Sequence, residues 1–194
     1  MPGVGDPAGM WPKGASVSPY RIAKSKPVFQ GRILKLRVDT VDVGNGKTIE
    51  REVVEHPGAI VVAPIDAQGR LVLVRQYRHA AGDWLLELPA GTLDHDEPVE
   101  AAAQRELQEE IGYAAGRLDR MGGFFSAPGF CTEFLHFFIA RDLRPQRRPG
   151  DEDEEIEVVA LPIDEVKSLA RQGKIRDAKT LAGLLLLELS PQLP

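Results

Sequence analysis

Alternating apolar and polar positions begin at Val28 and continue through Phe29-Gln30-Gly31-Arg32-Ile33-Leu34-Lys35-Leu36-Arg37-Val38-Asp39, a partial period of two that predicts a strand. Gly44-Asn45-Gly46 is a hairpin turn, and Thr48 to Glu55 reads as the returning strand. His56-Pro57-Gly58 then punctuates the chain. Ala59 to Ala63 is a short, fully apolar strand, followed by a turn within Asp66–Arg70 and a further strand from Leu71 to Arg78. The apolar run Trp84–Leu88 leads to Pro89-Ala90-Gly91, where a turn is expected. From there the period changes to that of a helix: Val99, Ala103, Leu107 and Ile111 form an apolar stripe, with Pro98 suited to the first turn and Gly112 to the stop. Strands are expected at Met121–Phe125, Phe134–Ala140 and Ile156–Leu161. Helices are expected at Asp164–Gln172 and Asp177–Leu189, the latter with Thr180, Leu181, Leu184, Leu185 and Leu187 as core positions. Strands and helices interleave without an internal repeat, which predicts an α/β architecture with a mixed sheet between helices.

Glycine and proline crowd the first twenty residues, so residues 1–20 are expected to be a flexible lead. Residues 21–57 form an antiparallel β lobe and residues 58–194 the main domain. With 43% hydrophobic and 27% charged residues in 194, the balance is that of an ordinary globular domain with a modest extra lobe. A formal net charge of −5 gives no electrostatic footprint for nucleic acid or an anionic membrane. The single cysteine, Cys131, excludes an intrachain disulfide and suits a reducing, cytoplasmic location. No stretch approaches the roughly 18 apolar residues of a membrane span.

Candidate chemistry concentrates beside the apolar stripe. Glu106 and Glu110 stack one turn apart with Glu109 nearby. Arg105 can pair with Glu109 at i,i+4, which leaves Glu106 and Glu110 unpaired within the helix. Such a cluster reads either as a solvated acidic face or as a hard-cation site, since Mg²⁺ takes a few carboxylates together with waters and substrate phosphate. Arg75 and Arg78, at the basic end of their strand, read either as phosphate ligands or as surface salt bridges. Between Arg144 and Gly150 lies a basic loop, abutting the acidic run Asp151-Glu152-Asp153-Glu154-Glu155, which is either a solvated loop or a lid able to deliver a base.

The whole segment decides the matter. Gly91, five residues, Glu97, seven residues, then Arg105-Glu106-Leu107-x-Glu109-Glu110-x-Gly112 resembles the signature box of the Nudix hydrolases; Tyr113 stands where that family usually has an aliphatic residue. The resemblance covers roughly residues 58–189. It implies an α/β/α sandwich and hydrolysis of a nucleoside diphosphate linked to another moiety, with two or more Mg²⁺ or Mn²⁺ ions. Outside the box, Gly31-Arg32-Ile33-Leu34, Val74 to Arg78, Leu88 to Gly91 and the Ser126-Ala127-Pro128-Gly129 loop with Glu133 look most like the bacterial ADP-ribose pyrophosphatases, with an extra Ala127 in the loop. By that resemblance Glu106, Glu110 and the Ala90 carbonyl bind metal, and Glu109 is a ligand or acts through a bound water. Gly91, Glu97, Arg105 and Gly112 hold the box together. Glu152 resembles the catalytic base, with Glu154 an additional metal contact, though charge alone leaves the choice among Glu152, Glu154 and Glu155 open. Arg78, Arg75, Ser126, Gly129 and Glu133 are candidate substrate ligands. Phe29 and Ile33 either flank the adenine or pack the lobe, in a homodimer with exchanged N-terminal lobes. The implied substrate is ADP-ribose. Alternatives are a GDP-sugar, a dinucleoside polyphosphate or NADH, or a non-catalytic ADP-ribose-binding regulator, which the intact carboxylates and acidic charge disfavour.

Overall fold

The computed structural model describes residues 20–150 and 155–190. The chain divides into two compact units, Met1–His56 and Pro57–Pro194. In the first, β1 (Arg21–Gln30), β2 (Lys35–Gly44) and β3 (Lys47–Glu55) form an antiparallel sheet in the order β1-β2-β3. The run expected as one strand over Phe29–Asp39 is broken: the chain reverses where the Gly31 N–H donates to the Leu34 carbonyl (2.8 Å), and Gln30 pairs with Lys35. Alternation continues across the reversal, so period alone does not locate it. Every residue of β1 is exposed.

The second unit contains β4 (Ala59–Pro64), β5 (Arg70–Arg78), β6 (Asp83–Glu87), β7 (Ala90–Thr92), α1 (Val99–Glu106), β8 (Tyr113–Phe125), β9 (Phe134–Pro145), β10 (Ile156–Pro162), α2 (Ile163–Arg171) and α3 (Ala178–Glu188). One sheet runs β7-β4-β9-β8, with β4 and β9 parallel and the other pairs antiparallel. Another runs β10-β5-β6, antiparallel throughout. Alternate residues of the central strands face opposite ways. Val61, Leu73 and Phe137 pack with Val166, Leu184 and Leu187 of α2 and α3, whereas Val62, Val74 and Phe138 pack with Ala102 and Ala103 of α1 and with Leu107 and Ile111. Strands covered on both faces have no polar side, which is why β4 and the middle of β5 are continuously apolar. Burying a side chain such as Leu107, at 0% exposure, contributes about 2 kcal/mol. The expected α/β/α layering is present.

Several local expectations need correction. Ala90-Gly91 is not a turn but lies in β7, hydrogen-bonded to β4 opposite Val61 and Ile60. The box helix is not uniformly α: after Glu106 it widens into a π turn over Leu107–Ile111, closed when the Gly112 N–H donates to the Leu107 carbonyl. Gly112 ends it at φ 76°, a left-handed conformation that glycine adopts without strain. β8 starts at Tyr113, directly after that stop, and β9 runs on to Pro145, into the segment expected to be a loop. In α3, Leu181 and Leu185 are 41% and 59% exposed, while Thr180, Leu184 and Leu187 are buried, because a helix of mostly apolar residues gives no internal cue to its core face. No helix among the described residues is long and apolar enough to cross a membrane.

Candidate active site

Glu106, the last residue of α1, and Glu110, in the π turn, are both buried, at 9% and 7% exposure. Both reach the short strand β7. One Glu110 carboxylate oxygen, Oε2, accepts from the Ala90 N–H at 3.2 Å. The Glu106 carboxylate lies so close over Gly91 that a Cβ there would sit 1.8 Å from Oε1 and 2.4 Å from Oε2. Gly91 has no positive φ, so the glycine is needed for space rather than for backbone freedom.

Arg105 organises the surrounding charge. Its Nε and Nη2 donate to the two oxygens of Glu97 at 3.0 and 2.9 Å, and Nη2 also to the Thr92 carbonyl at 3.3 Å. Nη1 donates to Glu106 at 2.6 Å and to Glu109 at 3.0 Å. Glu106 is therefore paired within the helix, contrary to the i,i+4 reasoning, because the guanidinium fork reaches an adjacent carboxylate as well as one a turn away. Hydrogen bonding to Glu97, with the charge of Glu106, raises the arginine pKa further, and the Glu97 carboxyl is held below the usual carboxylate range chiefly by its bond to Arg105. The loop bearing Glu97 is thus tied to the helix.

Beside β7 opens a cavity of about 470 Å³, within the size range of small-molecule sites. Ala90 and Gly91 line it, as do Arg78, Ser126, Glu133 and Lys179. Arg78, at the end of β5, donates through Nε (3.0 Å) and Nη2 (2.8 Å) to Glu87, which is 1% exposed. Lys179, in the first turn of α3, also contacts Glu87 and pairs with Asp177 at 3.1 Å. Burial alone would raise the Glu87 carboxyl, but the hydrogen bond from Arg78 and the charge of Lys179 outweigh it and hold the group ionised. Arg78 is raised chiefly by its bond to Glu87, and Glu110 lies near enough to add to that effect.

The remaining sequence candidates are spread more widely. Arg75 lies over the Trp84 ring (4.6 Å to its centroid), pairs with Glu157 at 3.1 Å and does not line the cavity. Gly129 also lies outside the lining, at the tip of a loop closed by hydrogen bonds from Phe130 and Cys131 to the Ala127 carbonyl. Phe29 and Ile33 belong to the N-terminal unit, at 60% and 45% exposure. Glu152 and Glu154 lie outside the described residues. Among the described residues no group of three or more histidine, cysteine, aspartate or glutamate side chains forms a ready metal cage, and Glu109, like Glu106, is bonded to Arg105. Glu87 and Lys179 were missed. Each left a signal: an acid in an apolar strand, and a lysine in a first helical turn, where the dipole disfavours a cation.

The family model described as NUDIX domain matches residues 54–184. The chain is 36% identical over 180 residues to an ADP-ribose pyrophosphatase of Bacillus subtilis, covering 92% of this chain and 97% of that protein. It is 39% identical over 158 residues to a GDP-mannose pyrophosphatase of Salmonella arizonae, covering 75% and 82%. Among solved structures, an ADP compounds hydrolase superposes with a TM-score of 0.78 at 26% identity, covering 87% of this chain and 92% of that one.

Proposed function

The chain belongs to the Nudix family, and from that premise we propose that it hydrolyses the diphosphate bond of ADP-ribose, giving AMP and ribose 5-phosphate. The observation that carries this reading is the convergence of two buried carboxylates, Glu106 and Glu110, on Ala90-Gly91 at the wall of a cavity that also presents Arg78.

Nudix hydrolases generally use divalent cations, and the residues present suit one. Every candidate donor is a hard oxygen, and Gly91 leaves room for a carboxylate where any larger residue would displace it. Glu106, Glu110 and the Ala90 carbonyl would hold Mg²⁺ or Mn²⁺, two or more ions per site; with no three-residue cage among the described residues, phosphate oxygens and waters would supply the remaining ligands. Bound ions would neutralise the diphosphate and supply an activated water. Arg105 bridges and orients Glu106 and Glu109, and Arg78 adds fixed positive charge without a proton to lose.

Phosphate-product profiling of the purified protein against a nucleotide panel, with Mg²⁺ and Mn²⁺, tests the substrate. ADP-ribose is expected to lead by about tenfold or more in kcat/KM, a margin of roughly 1.4 kcal/mol in transition-state binding. The 39% identity to a GDP-mannose pyrophosphatase favours a second reading, a GDP-sugar, and GDP-mannose leading the panel would install it.

The N-terminal sheet supports a homodimer. Ile22, Val28 and Phe29 are each more than half exposed on a strand that buries nothing, and a small sheet with an apolar face needs a partner surface. Sedimentation is expected to give a dimer for the whole chain; a fully active monomer would count against it.

A further inference from the structure

We infer that Lys179 is a substrate-binding cation, which with Arg78 forms a two-armed grip on one phosphoryl group while the buried Glu87 positions both arms. The inference rests on the reading of this cavity as a diphosphate site. Both cations line that cavity, one from the end of β5 and the other from α3, a hundred residues further along the chain. Both converge on a single atom: Glu87 Oε2 accepts from Arg78 Nη2 at 2.8 Å and from Lys179 Nζ. Two donors on one oxygen lie within about 6 Å of each other, a spacing the oxygens of one phosphoryl group can bridge.

Spare hydrogen-bond donors argue that Lys179 is there for more than Glu87. The guanidinium of Arg78 already grips that carboxylate through Nε, at 3.0 and 3.2 Å, and through Nη2. Lys179 adds a second cation, shared between Glu87 and Asp177. An ammonium carries three N–H groups, and contacts to Glu87 and Asp177 use two; on Arg78, Nη1 takes no part in the bond to Glu87. Each cation therefore keeps donors for a ligand. Rigidity argues the same way. Thr180 Oγ1 accepts from the Leu88 N–H at 2.8 Å and donates to Asp177 at 2.6 Å, fixing the start of α3 to the segment between β6 and β7. Further along, a Cβ on Gly183 would lie 2.6 Å from Leu88, so α3 packs at close range. Lys179 is thus held on an immobile wall, with the short side chains of Ala178 and Ala182 beside it. Its place in a first turn, unfavourable by the dipole, fits a binding role rather than a helix-stabilising one.

The test is kinetics and calorimetry on Lys179→Met and Lys179→Arg. Loss of a charge-assisted contact is expected to raise KM for ADP-ribose about 10- to 100-fold, with kcat within about threefold because ground state and transition state lose the contact alike. Lys179→Arg is expected to recover most of the loss. Calorimetry with AMP and with ribose 5-phosphate, on the same proteins, is expected to show about tenfold or greater weakening of at least one product. Should Lys179→Met not fold, Lys179→Gln, which keeps a donor for Glu87, is expected to show the same rise in KM. Unchanged KM and unchanged product affinity, with or without a fall in melting temperature, would make Lys179 a structural counter-ion and overturn the inference. A wild-type enzyme inactive on ADP-ribose would instead remove the underlying reading, and this one with it.

Discussion

Glu110→Gln is expected to cut turnover by a factor of about 10²–10³ while leaving the fold intact. An ion held on the diphosphate supplies several kcal/mol of transition-state stabilisation, and each ~1.4 kcal/mol is a decade in rate. The amide keeps the shape of the side chain and an acceptor for the Ala90 N–H, now at 3.2 Å from Oε2, but it loses the charge that attracts a cation. Glu110 is buried beside Arg78, so removing its charge also leaves that arginine less well balanced. Steady-state kinetics at saturating Mg²⁺, with circular dichroism as the control for folding, measures this directly. A variant keeping more than half of the normal kcat would refute the assignment.

Gly91→Ala is expected to be nearly as damaging to activity and almost silent in stability. The new methyl would sit within 2.4 Å of both Glu106 oxygens, and no such contact survives. Since those atoms are the far end of a flexible side chain, the carboxylate swings aside at small cost. The backbone needs no adjustment, because Gly91 already has a conformation that alanine adopts. Activity is expected to fall about a hundredfold, with the melting temperature moved by only about 2–4 °C, the shift of roughly 1 kcal/mol in a protein of this size. A large loss of stability would show that the carboxylate cannot swing aside cheaply, and normal activity that Glu106 does not need its present place.

How much of this was legible depended on distance along the chain. The box compresses its chemistry into residues 91–112, so fixed spacing carried Gly91, Arg105, Glu106 and Glu110 together, and the structure brings them to one place. The interleaving of strands and helices also gave a mixed sheet between helices, and the resemblance implied its α/β/α layering; in the structure β4 and β5 are packed on both faces. What spacing could not give was packing. Glu87 and Lys179 stand 92 residues apart and meet only once α3 docks on the sheet. Arg75 and Arg78 are indistinguishable as residues, yet only Arg78 lines the cavity, while Arg75 lies on Trp84. The role given to Gly91 as a turn residue was wrong for a related reason: glycine signals either backbone freedom or close approach, and only the position of Glu106 distinguishes them.

Titration calorimetry of the purified protein with Mg²⁺ and with Mn²⁺, alone and with a non-hydrolysable ADP-ribose analogue, tests the central claim most directly. Saturable uptake is predicted for the wild-type chain, stronger with the analogue present and weakened about tenfold or more in Glu110→Gln, which removes one of the charged ligands that set cation affinity. Absence of uptake under both conditions would contradict the account.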